Sequence, residues 1–154
     1  MKKITSNTQK HYLAVSLSGS NDKEILGQMA EAMLKEGYVK AEFHDAIIKR
    51  ESEFPTGLPT GKINVAIPHT DPEYVKKPAV CLGILDKQVE FNVMGMEGEK
   101  TSVSILFMLA IKKKEEQLGL LQKVIEICQD QEMLETLKSG DMNKIDEVLG
   151  DLIS

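Results

Sequence analysis

Phe54 to His69 runs FPTGLPTGKINVAIPH, and its two halves follow different rules. Phe54 to Lys62 is a loop by its proline and glycine content. Ile63, Val65 and Ile67 then alternate with Asn64 and Ala66, the period of a strand, until Pro68 stops the run. His69 therefore stands just past a strand end, presented on a loop.

Upstream, about Lys40 to Glu53 has helical spacing, with Phe43, Ala46 and Ile47 on one face and Arg50 at the i+7 position of that face. A long charged side chain there ordinarily only carries its head to water. Before it, Asp22 to Glu36 repeats Ile25, Met29, Ala32 and Met33 at helical intervals. Asn21 is its candidate cap, Glu24 stands three residues later, and Gly37 ends it. Tyr12 to Leu17 reads as a first strand, closed by the turn Ser18 to Asn21.

Downstream, Ala79 to Leu85 and Val89 to Val93 flank the polar stretch Asp86, Lys87, Gln88 and read as a hairpin. Val103 to Ile111 is continuously apolar apart from Ser104, as in a central strand covered on both faces. The last third is helical. Leu118, Leu121, Ile125 and Cys128 form one stripe, and Met142, Ile145, Val148 and Leu149 form another after a break at Gly140. Helices at both ends around strands predict an α/β fold: one three-layer domain over residues 1–154, with a mixed sheet of about five strands flanked by helices. The strand order is not encoded in this pattern.

The chain has 154 residues, 42% of them hydrophobic and 28% charged, enough to bury one core without staples. A net charge of −5 and the absence of a long basic block argue against nucleic acid. Lys112 to Lys114 is followed by Glu115 and Glu116, which fits a solvated helix start. Cys81 and Cys128 have no metal or redox spacing and read as buried, reduced thiols. The N-terminal apolar run is short for a signal peptide, and Ile105 to Ile111 is too short to span a bilayer. A cytoplasmic, unanchored protein is expected.

Gly57 to Ile63 fails as a nucleotide-binding loop, because three residues rather than four separate its glycines and Ile63 follows the lysine. No G-x-S-x-G elbow supports a serine hydrolase. His11 and His44, the other imidazoles, are remote in sequence from His69 and Asp71, so no metal set and no cofactor site are expected. A neutral imidazole on an exposed loop is a good nitrogen nucleophile. Asp71 reads chiefly as part of the turn with Pro72, and Glu51 receives the same structural reading.

Arg50-Glu51, Pro55-Thr56-Gly57-Leu58 and Ile63-Asn64-Val65-Ala66-Ile67-Pro68-His69 together resemble the active-site region of phosphotransferase-system enzyme IIA domains of the fructose-mannitol type. The resemblance runs through essentially the whole chain. It implies that His69 is phosphorylated, that Arg50 steadies the phosphoryl group, and that the Thr56 hydroxyl donates it a hydrogen bond. The implied donor is the phosphohistidine of the carrier protein HPr. The implied acceptor is a cysteine of an enzyme IIB, which serves the membrane enzyme IIC. Several members carry a second histidine where this chain has Glu116-Gln117-Leu118; Gln117 can hydrogen-bond there but cannot titrate. Pro59 and the loop length point to the galactitol-like branch, so galactitol or another polyol is the first expectation and fructose or mannitol the next. The alternative is a regulatory phosphocarrier of the nitrogen-related branch, and a third reading leaves His69 as a plain loop residue in a ligand-binding domain. Small, partly apolar docking contacts around His69, with Met94, Met96 or Phe54, are expected, and the chain is expected to be a monomer.

Overall fold

A computed structural model describes residues 1–153, with the side chain of Gln117 outside that description. The elements in chain order are β1 (Lys2–Asn7), β2 (Tyr12–Leu17), α1 (Asp22–Lys35), α2 (Phe43–Glu53), β3 (Gly57–Leu58) and β4 (Asn64–Ala66). After a short 3₁₀ turn, Pro72–Tyr74, come β5 (Ala79–Asn92), β6 (Lys100–Ala110), α3 (Lys114–Cys128), α4 (Gln131–Lys138) and α5 (Met142–Ile153). The six strands form one sheet in the order β1-β2-β5-β6-β4-β3. The sheet is mixed: β2 runs parallel to β5 and β4 parallel to β6, while the other pairs are antiparallel.

Alternation along the strands splits the apolar side chains between two layers. Leu13, Val15 and Cys81 face α1 and α2 with Met29, Phe43 and Ile47, while Tyr12, Leu82 and Phe107 face the C-terminal helices with Val124, Leu134 and Leu149. The apolar run of β6 follows from this, since it lies between β5 and β4 with both faces covered. The three-layer α/β expectation is met.

The α1 signals work as their chemistry requires. Asn21 Oδ1 accepts the Glu24 N–H at 2.9 Å, and the Glu24 carboxylate accepts the Ser20 N–H at 2.8 Å. At the other end Gly37, with φ of 81°, lets its N–H reach the Leu34 carbonyl and that of Tyr38 reach Met33.

Four expectations change. The hairpin expected at Asp86 to Gln88 is instead a bulge within one strand, β5: pairing steps from Ile84–Ile105 to Val89–Val103, so extra residues loop outward on β5 alone. Their polarity imitates a turn, but the chain does not reverse until Val93 to Glu99, where Gly95 and Gly98 take positive φ. Two edge strands, β1 and β3, bring the count to six rather than about five. Neither shows a clear period, since β1 is half exposed and β3 has two residues. In the C-terminal third Leu118 and Met142 are exposed, 64% and 51%, rather than in the stripes assigned to them. Finally, Asp130 caps a separate helix, α4, by accepting the Met133 N–H.

Candidate functional site

His69 lies beyond the C-terminal end of β4, on the rim of the sheet. Pro68 cannot extend the strand ladder as a donor, but its carbonyl accepts the Leu109 N–H at 3.0 Å, and His69 pairs alongside Leu109 of β6. The imidazole is thus held at the sheet edge by main chain on both sides. Its Nδ1 is 2.9 Å from the Ile67 carbonyl oxygen. A carbonyl only accepts, so Nδ1 carries the hydrogen and Nε2 keeps a free lone pair in the neutral ring. Burial lowers the His69 pKa from 6.5; the Ile67 contact pulls it up, and the Arg50 charge pushes it further down. The ring is therefore neutral, and nucleophilic at Nε2, at neutral pH.

Arg50 is half-buried in the last turn of α2, where its guanidinium sits 4.4 Å over the Phe54 ring. Stacking restricts a flexible cation and leaves its in-plane N–H groups for an anion. The Arg50 charge acts on the His69 imidazole and lowers its pKa.

Thr56 is placed differently from the direct phosphoryl contact expected of it. Its hydroxyl donates to Glu51 Oε1 at 2.7 Å, its N–H donates to Glu51 Oε2 at 2.7 Å, and its Oγ1 accepts the Ile67 N–H at 3.1 Å. With Glu51 ionised, the single hydroxyl hydrogen is committed to it. Gly57 follows because β5 crosses here: a Cβ on residue 57 would lie 2.6 Å from the Asn92 carbonyl oxygen.

Glu51 is the residue that sequence reasoning undervalued. It is buried, and burial lifts its carboxyl to about 7 against the pull of both Thr56 hydrogen bonds. The signal was available in the spacing. Glu51 falls four residues after Ile47 and eight after Phe43, on the core row of α2, whereas Arg50 falls one position to its side.

The remaining candidates divide. The side chain of Gln117 lies outside the described residues. Asp71 precedes the 3₁₀ turn, where its main-chain carbonyl accepts from Tyr74, while the His69 imidazole bonds to Ile67. His11 binds the Pro78 carbonyl and His44 contacts Asp45, both through side-chain nitrogens. Among the described residues no group of three or more His, Cys, Asp or Glu is placed to hold a metal ion. None of the described helices is long and apolar enough to cross a membrane. Lys112 donates to the Val75 carbonyl at 2.8 Å, and both cysteines are buried and free. Phe54, Met94 and Met96 are exposed by 57%, 36% and 54% and line one open groove beside the α2 C-terminus.

The arrangement offers a neutral, part-buried imidazole with one free nitrogen and an arginine for negative charge. Known proteins resemble the chain at two levels, sequence and fold. The galactitol-specific EIIA component of the phosphotransferase system of Escherichia coli K12 is 29% identical over 126 residues, covering 82% of this chain and 83% of that protein. The crystal structure of IIA mannitol from E. coli superimposes with a TM-score of 0.73 at 20% identity, covering 94% of this chain and 99% of that one. The same fold appears in the complex of E. coli enzyme IIA mannitol with phosphorylated enzyme IIB mannitol, at a TM-score of 0.71 and 20% identity over 92% of this chain and 95% of that one. The model of the family described as "Phosphoenolpyruvate-dependent sugar phosphotransferase system, EIIA 2" matches residues 6–151, so the chain belongs to that family and is a phosphotransferase component, a IIA phosphocarrier.

Proposed function

We propose that His69 Nε2 accepts a phosphoryl group from the phosphohistidine of HPr and passes it to a cysteine of an enzyme IIB. The carrying observation is the Nδ1 contact with the Ile67 carbonyl, which leaves Nε2 as the free nitrogen. In the first step the Nε2 lone pair attacks phosphorus in line. A new N–P bond forms, the donor's N–P bond breaks, and its electron pair returns to the donor imidazole. The His69 Nδ1 proton stays with the Ile67 carbonyl. In the second step a thiolate of the IIB attacks phosphorus, and the pair of the breaking bond returns to Nε2. Arg50 takes up the charge spread over the equatorial oxygens in both steps.

The exposed Phe54, Met94 and Met96 supply an apolar rim on which two carriers dock in turn and leave. The 29% identical galactitol-specific relative supports galactitol, or a similar polyol, as the solute moved by the IIC partner that the IIB serves. The protein acts as a monomer, because each docking event needs the same rim uncovered.

Intact mass of wild type and His69→Ala, after incubation with phosphoenolpyruvate, enzyme I and HPr at neutral to alkaline pH, tests the relay. One phosphate adduct on wild type and none on the variant is the expected result. A folded wild type that gains no phosphate overturns the reading. Adding galactitol and mannitol IIB proteins separately to the phosphorylated form then shows which one removes the adduct.

A further inference from the structure

Glu51 is 5% exposed, and among the described residues no cationic nitrogen lies within ion-pair distance of its carboxylate. A carboxyl so placed is costly unless its oxygens are satisfied, and here one residue, Thr56, satisfies both. The consequence reaches further than the loop. With its hydrogen directed to Glu51, the Thr56 hydroxyl presents a lone pair to the Ile67 N–H at 3.1 Å. Ile67 precedes a proline and is β-branched, so its φ and ψ are narrowly limited. Holding its N–H on one side, while Leu109 holds the Pro68 carbonyl on the other, fixes where the Ile67 carbonyl points. That carbonyl is the acceptor of the His69 Nδ1–H.

We propose that Glu51 is a positioning residue for phosphoryl transfer: by orienting the Thr56 hydroxyl it fixes the Ile67 carbonyl, which keeps the His69 proton on Nδ1 and the lone pair on Nε2. The consequence for catalysis rests on the assignment of His69 as the phosphoryl acceptor; the effect on the tautomer does not. Two conservative variants interrupt the chain of contacts at different points. In Glu51→Gln the Thr56 N–H still requires the amide oxygen, so the amide NH₂ faces Oγ1 and donates to it. That reverses the hydroxyl: Oγ1 then accepts from the amide as well as from the Ile67 N–H, and its own hydrogen, deprived of the Glu51 acceptor, turns elsewhere and moves the lone pair that the Ile67 N–H uses. Thr56→Val keeps the shape and removes the hydroxyl, leaving the Ile67 N–H only the residue 56 carbonyl at 3.3 Å. Thr56→Ser keeps the hydroxyl and the order of donors.

The test reads the His69 ring nitrogens by long-range proton–nitrogen correlation in ¹⁵N-labelled protein without any phosphoryl donor. Single-turnover phosphorylation by phosphorylated HPr is followed in parallel. At pH 8.5, where Glu51 is ionised and accepts from Thr56, wild type and Thr56→Ser are expected to show protonated Nδ1 alone. Glu51→Gln and Thr56→Val are expected to show mixed tautomers, with the maximal rate falling in proportion to the competent fraction, about tenfold, at unchanged KM for the carrier. Should Glu51→Gln fail to fold, Thr56→Val set against Thr56→Ser carries the test alone. The wild-type tautomer in the folded variants overturns the proposal, as does an unchanged rate despite mixed tautomers. A wild type that takes no phosphate defeats the relay itself, and the tautomer measurement still decides what Glu51 does.

Discussion

Burial holds the Glu51 carboxyl at about 7, whereas the unfolded chain returns it to 4.5. The folded state therefore binds this proton more tightly, so the contribution of the group to stability is complete below about 4.5 and is lost as pH rises through about 7. Over that window the loss is on the order of 3 kcal/mol. His69 acts in the opposite sense: its contribution is complete above 6.5 and is lost as pH falls from there through the lower folded value. Urea titrations of wild type and Glu51→Gln at pH 5, 6, 7 and 8 should show the wild type losing ground to the variant as pH rises, and a constant difference would mean that the carboxyl titrates normally. The thiols give a second check at this scale. Desolvation raises Cys128 to about 12 and Cys81 higher still, and both are buried. A thiol-reactive disulfide reagent should label neither in the folded protein and both after unfolding.

At the scale of elements, two contacts set the loop before β4. Gly57 passes under the end of β5, so Gly57→Ala presses a Cβ against the Asn92 carbonyl and moves the neighbouring Thr56. A stability loss of about 1–3 kcal/mol by denaturant titration, with slower phosphorylation of His69, is expected. Gln131, the first residue of α4, donates to the Thr60 carbonyl and accepts the Ile63 N–H, tying the loop to the opposite layer. The cap of α1 has no such link to the site: Asn21→Ala should cost about 1 kcal/mol and leave phosphorylation unchanged. β5 shows how local composition misleads. Asp86, Lys87 and Gln88 are as polar as any turn, yet β6 pairs with β5 on both sides of the bulge, and β2 pairs with it up to Leu85.

For the whole molecule, the site is assembled where α2, the loop at Thr56, β4 and β6 meet, and the apolar rim is added by the β5–β6 turn. Met94 and Met96 are exposed on the β5–β6 turn, so the double change Met94→Ser, Met96→Ser tests docking apart from chemistry. KM for phosphorylated HPr should rise roughly tenfold with the maximal rate retained. An unchanged KM would mean that the carrier lands elsewhere.

Sequence alone determined the elements whose patterns are local. The capped α1, the amphipathic α2 ending near Arg50, the strand stopped by Pro68 and the doubly covered β6 are all written in period and punctuation, and so is the position of His69. Tertiary structure decided what depends on residues far apart in the chain: the strand order, the continuity of β5 and the half-exposed edge β1. The role of Thr56 belongs to the second group, since a hydroxyl has one hydrogen and only the packed neighbourhood determines which acceptor receives it.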